Sequence, residues 1–249
     1  MKNFIAFLKD FENYSLPNFK ENKIIIAYIL IGGLILGFSD YYFYRNFNTE
    51  RKYHYFILLF SIFSALISIY VNVFFQKAYG LARGLKVTSK INPWKIFISI
   101  ILGILSYGLI PLIFTPDFHL KKIQFKRVGI FKYDIGLKDY SKMAFSGITG
   151  NLIVILILKS LFGFNNILVN GIIAANAFTA ISTIIPIPKN TGFYSLLYSI
   201  SNWGLLLGYS IITLLLIIHP NIWFSIITGT ILIITLWYFF ATEYEGFKI

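Results

Sequence analysis

Cysteine is absent from the 249 residues, which excludes disulfides, thiolate zinc sites and cysteine nucleophiles. Charge is nearly as scarce. Asp, Glu, Lys and Arg make up 13% of the chain, against roughly a quarter in soluble domains. Too little polar surface is left to cover such a chain in water, so a water-soluble enzyme is excluded and a bilayer removes the difficulty. No internal repeat, Ser/Pro-rich linker or low-complexity tract occurs, and there is no phosphate-binding loop. What is present is apolar: 57% hydrophobic residues, 19% aromatics and a mean hydropathy of +0.72. The net charge of +12 fits basic loops facing anionic headgroups better than a nucleic-acid surface.

A membrane-crossing helix takes about 20 mostly apolar residues. Seven stretches qualify: 24–44, 54–75, 94–114, 143–164, 167–188, 193–218 and 221–241. The second, fifth, sixth and seventh carry no Asp, Glu, Lys or Arg. Lys159 stands near the end of the fourth, where it can snorkel to the headgroups, and Asp40 near the end of the first. Tyr41, Tyr42, Phe43 and Tyr44, and Trp237, Tyr238, Phe239 and Phe240, crowd helix ends as interfacial aromatics do. The expected fold class is an all-α polytopic membrane protein of about seven transmembrane helices. Residues 24–241 form one transmembrane domain, 242–249 a tail, and the location is a cell membrane.

Two stretches fall outside the spans. In residues 1–23, Phe4, Phe7, Leu8 and Phe11 recur at i, i+3, i+4 and i+7. That stripe predicts an interfacial amphipathic helix. Residues 115–142 hold seven Lys or Arg and alternate locally (Ile123, Phe125; Val128, Ile130), which predicts a small β-hairpin on the membrane surface. Basic residues on alternate sides of the seven-span arrangement number ten and twelve, so the positive-inside rule assigns no orientation.

Polar side chains inside apolar spans are expensive and therefore mark function or helix packing. Asn72 and Gln76 lie four apart, on one helix face. Asn151 closes the run Ser146-Gly147-Ile148-Thr149-Gly150-Asn151, and Gly147 and Gly150 mark close helix packing. Asn176 lies in the fifth span, which ends in Pro186-Ile187-Pro188-Lys189-Asn190-Thr191-Gly192. Singly, each amide is explained by a hydrogen bond to a neighbouring helix, and the Pro-Ile-Pro run by helix termination. The histidines His54, His119 and His219 have no second ligand at helical spacing. A serine–lysine or aspartyl intramembrane hydrolase finds no base and no second membrane aspartate.

In order along the chain stand Asn72-Val73-Phe74-Phe75-Gln76 with its Lys77–Val87 tail, the Thr115-Pro116-Asp117 turn, the 146–151 run and the 183–192 run. Over residues 55–200 this order resembles the site-2 protease family of intramembrane zinc metalloproteases, an archaeal-type branch in particular. The resemblance implies that family's helical core. It also implies that Asn72 and Gln76 stand at the two zinc-histidine positions, Val73 at the catalytic glutamate and Thr191 at the zinc aspartate. Amides and a hydroxyl are poor zinc ligands, and valine cannot take a proton. No cofactor, no metal and no catalysis are therefore expected. The expectation is a pseudoprotease that binds or scaffolds transmembrane segments of other proteins among membrane lipids. Its cleft would be lined by Asn72, Gln76, Asn151, Asn176, Pro186, Pro188, Asn190 and Thr191. Two alternatives stand beside it: an active zinc metalloprotease drawing ligands from His54, His119 or Asp117, and a small transporter or channel component.

Overall fold

Long apolar runs without internal breakers give the longest helices, and the computed structural model describes residues 16–44, 51–123, 135–162 and 167–201, with a few further positions to 211. Helix α1 (Phe19–Tyr44) carries Glu21 in its first turn, and α2 (Arg51–Ala82) returns antiparallel against it. Strand β1 (Leu85–Lys90) and helix α3 (Pro93–Leu105) follow. Next come β2 (Asp117–Lys122), α4 (Leu137–Phe162), α5 (Ile167–Ile184) and α6 (Thr191–Tyr198).

Three of these helices are long and apolar enough to cross a membrane: Phe19–Phe38 within α1, Tyr55–Ala82 within α2, and α4. Among the described residues the expected count of seven is not supported. Stretch 221–241 and the 242–249 tail lie outside the described residues, as do residues 1–15 of the interfacial segment expected over 1–23, whose last residues, 19–23, belong to α1. Stretch 193–218 is broken at Ser199, whose backbone is extended after α6. Stretch 167–188 forms α5 and stops at Ile184, before the Pro-Ile-Pro run.

The 94–114 stretch departs furthest from expectation. Asn92 caps α3 by accepting from the Trp94 amide at 3.1 Å, and Pro93 opens the first turn. After 13 residues, about 20 Å of helix, the chain reverses. Tyr107 and Gly108 take positive φ (52° and 78°), and the Gly108 amide reaches back to the Gly103 carbonyl. Left-handed residues followed by Pro111 are a helix stop. Leu112, Ile113 and Phe114 then run back in non-helical conformation but buried. Their backbone is satisfied by serines: Ser99 donates to the Leu112 carbonyl at 2.8 Å, and Ser182 accepts from the Ile113 amide at 2.9 Å. Irregular backbone at membrane depth is tolerated only when protein covers it in this way. The segment is a helix with an extended return.

The extended return delivers β2 to β1. The two pair antiparallel from Leu85 opposite Lys122 to Lys90 opposite Asp117. A strand does fall within 115–142, but at Asp117–Lys122, ahead of the alternating residues that predicted the hairpin, and its partner is β1. The hairpin's second strand would fall in residues 124–134, outside the described residues. Leu85, Val87, Phe118 and Leu120 cover Met143 on α4. Gly80 on α2 permits this approach, since a Cβ there would fall 2.3 Å from Val87. The sheet sits where α1 begins, α2 ends and α4 begins. On α4, Lys159 is buried and does not snorkel outward.

Candidate functional site at the α2–α4–α5 junction

Helix α2 carries Ser64, Ser68, Asn72 and Gln76 at successive i, i+4 positions, all buried. Such a stripe has no apolar partner to seek and must find polar ones. Ser68 finds α5: its hydroxyl lies 2.5 Å from the Thr179 hydroxyl and 3.1 Å from the Ala175 carbonyl. Asn72 and Gln76 find each other, Gln76 Nε2 donating to Asn72 Oδ1 at 2.8 Å.

Glycines on α4 make room for this pair. A Cβ at Gly147 would fall 2.6 Å from Asn72 Oδ1 and 2.8 Å from Gln76 Nε2, and one at Gly150 would meet the Phe75 ring. Asn151, one turn beyond Gly147, is fully buried, and neither of its amide atoms has a hydrogen-bond partner among the described residues. The same holds for Asn72 Nδ2. Val73 points elsewhere, into the apolar core of Tyr28, Ile69 and Ile113.

Helices α2 and α5 run parallel. Phe60 packs on Gly171 and Ser68 on Thr179, eight residues along each helix. By that register Asn72 comes level with Thr183, whose carbonyl accepts from the Thr191 hydroxyl. Asn190 donates to the carbonyls of Ser182 (3.0 Å) and Ile185 (2.7 Å), and Trp203 Nε1 to that of Ile184 (3.2 Å). These side chains supply what the last turn of α5 lacks once Pro186 ends it. Gly192 closes against the same turn: a Cβ would fall 1.9 Å from the Ile184 carbonyl oxygen.

The structure therefore brings Asn72 and Gln76 to one α2–α4 contact at Gly147, leaves Asn151 buried one turn further along α4, and fastens Asn190 and Thr191 to the end of α5. Asn176 bonds its own helix, donating to the Ile172 carbonyl at 2.8 Å. Pro186 and Pro188 are exposed. These residues do not fit zinc. The two amides at the histidine positions are bonded to each other, and the Thr191 hydroxyl is committed to a backbone carbonyl. Among the described residues no three His, Asp or Glu side chains group to hold a metal. His119 lies on β2, where partial burial, with the Lys90 and Lys121 cations beside it, pulls its imidazole below the usual value. The side chain of His54 and all of His219 lie outside the described residues.

Sequence reasoning misses a second polar system. Lys77 on α2 pairs with Glu21 on α1 at 2.6 Å. Lys95 on α3 pairs with Asp117 Oδ1 at 2.5 Å and donates to the Thr115 carbonyl at 3.2 Å. Asn92 Nδ2 holds Asp117 Oδ2 at 2.8 Å, and the Tyr28 hydroxyl donates to the Asn92 carbonyl. The available signal was Lys95 itself, a cation inside an apolar run. Compared with protein-family models, curated proteins and solved structures, the chain finds no match.

Proposed function

We propose that the chain is a catalytically inactive relative of the site-2 proteases, a multi-pass protein of a cell membrane that binds or scaffolds transmembrane segments of other proteins. The observation that carries this reading is the Asn72–Gln76 hydrogen bond packed on Gly147, at the positions where the resemblance puts the zinc histidines. The two neutral amides are closed on one another along one face of α2, and Val73 offers no proton acceptor. Thr191, at the aspartate position, acts as a cap for α5. The site is then a packed polar seam, and the work left to the chain is association.

Photo-crosslinkers at the exposed Pro186 and Pro188, used in native membranes, test the binding reading. Discrete adducts with a small set of membrane proteins are expected, and adducts with lipid alone would reject it. Elemental analysis of tag-free protein tests the other half. Less than stoichiometric zinc is expected, with no chelator-sensitive cleavage of a membrane substrate. One tightly held zinc per chain accompanied by proteolysis would establish an enzyme.

A further inference from the structure

A cavity of about 710 Å³ opens between the outer face of the sheet, the start of α3 and the turn after α5. Lys90, Lys189, His119, Asp117, Trp94 and Tyr194 line it. Its charge balance is positive. The one carboxylate, Asp117, has both oxygens engaged, Oδ1 by Lys95 and Oδ2 by Asn92. Lys90 and Lys189 have no carboxylate within ion-pair distance among the described residues.

Two further observations point to an anion. The strand register sets Lys86 directly opposite Lys121 on the same outward face as Lys90 and His119. Like charges so placed oppose strand pairing, and among the described residues neither forms an ion pair with an acid. Lys189, on the turn after α5, lines the same cavity as Lys90 and is exposed. The cavity opens at the sheet end of the molecule, beside the strand that follows α2 and the start of α3. Trp94 at its mouth is 67% exposed and Ile91 55%, as interfacial residues are.

We propose that this cavity binds the phosphate of an anionic phospholipid headgroup, with Lys90 and Lys189 as its paired cations. The bound lipid's chains lie along the exposed apolar side of α3, where Phe97, Ile104 and Leu105 face outward. The sheet face carrying Lys86 and Lys121 supplies the long-range attraction. The proposal is independent of the pseudoprotease reading.

The test uses the full chain, delipidated in neutral detergent. Phosphatidylglycerol and phosphatidylcholine are titrated by native mass spectrometry and by thermal shift. One phosphatidylglycerol per chain is expected to be retained in preference to phosphatidylcholine. Lys90→Gln with Lys189→Gly, where glycine suits the left-handed turn, is expected to weaken it about thirtyfold, each cation near the interface counting about fivefold. Lys20→Gln, away from the cavity, keeps the preference. Equal retention of the two lipids overturns the proposal, as does an unchanged preference in the double variant. Inorganic phosphate raising the melting temperature as far as the lipid would make the ligand a free anion and overturn the headgroup assignment. An acidic peptide displacing the lipid would overturn it likewise.

Discussion

The sheet end and the three-helix junction are both buried and polar, yet they are built from opposite materials. At the sheet end, α1, α2, α3 and β2 are tied by full charges: Glu21 with Lys77, and Asp117 with Lys95. At the α2–α4–α5 junction the buried polar groups are amides and hydroxyls: Ser68, Asn72, Gln76, Thr179 and Asn151. The partner that each helix face meets explains the difference. Lys77 on α2 meets the Glu21 carboxylate of α1, whereas Gln76, its neighbour in sequence, turns to Asn72 one turn back on its own helix. An ion costs several kcal/mol to desolvate even when paired, a neutral amide far less. Charge is therefore buried only where a counter-charge from another element meets it, and neutral polarity serves where none does.

The comparison breaks most visibly at Asp117. Asp117→Leu leaves the fully buried Lys95 ammonium with only the Thr115 carbonyl. A loss of about 3–5 kcal/mol is expected, seen as a large fall in melting temperature in detergent. Adding Lys95→Met should recover much of it, because no orphan charge remains. A single variant as stable as the parent would show that the pair does not hold β2 to α3.

Gly147→Ala probes the junction. The new Cβ meets two hydrogen-bonded amides at under 3 Å, an overpacking expected to lose about 1–3 kcal/mol. Combining it with Asn72→Ala should be markedly non-additive, since the second change removes the obstruction. Additive losses would place the amide pair away from Gly147.

Asn151→Leu sharpens the contrast. Neither amide atom has a partner among the described residues, so an apolar side chain of similar volume removes a desolvation penalty. Stability is expected to stay within about 1 kcal/mol or rise. A loss as large as that of Gly147→Ala would mean that Asn151 holds an ordered water or a partner's polar group.

The smallest effect belongs to His119. Its imidazole lies below the ordinary value, so the folded chain takes up this proton less readily than the unfolded one. The sign follows: the contribution is complete above the unfolded value and is lost as pH falls through it into the acid range. His119→Gln should flatten that acid limb of the stability profile slightly, and an unchanged limb would remove His119 from the account.

Much of the helical content was legible because the local signals were undiluted. Charge-free runs of membrane length mark α2 and α5, Pro186 and Pro188 mark the stop of α5, and the glycine pair at 147 and 150 marks a helix contact. Asn72 and Gln76 were legible as one face from spacing alone. Hydropathy did not reveal that 94–114 folds back, because an extended segment covered by protein is as apolar as a helix covered by lipid. The covering serines, Ser99 and Ser182, come from sites remote in sequence.

Membrane character, the amphipathic and apolar periodicities and the chemistry available at each position are properties of the sequence, because they depend only on residue type and on separations of a few residues. Tertiary structure decided the pairing of β1 with β2, the partners of Lys77 and Lys95, and the commitment of Thr191 to Thr183. Each of these joins residues with no local relation, such as the 56 positions between Glu21 and Lys77. Such a contact exists only after the intervening helices have packed and excluded the alternatives.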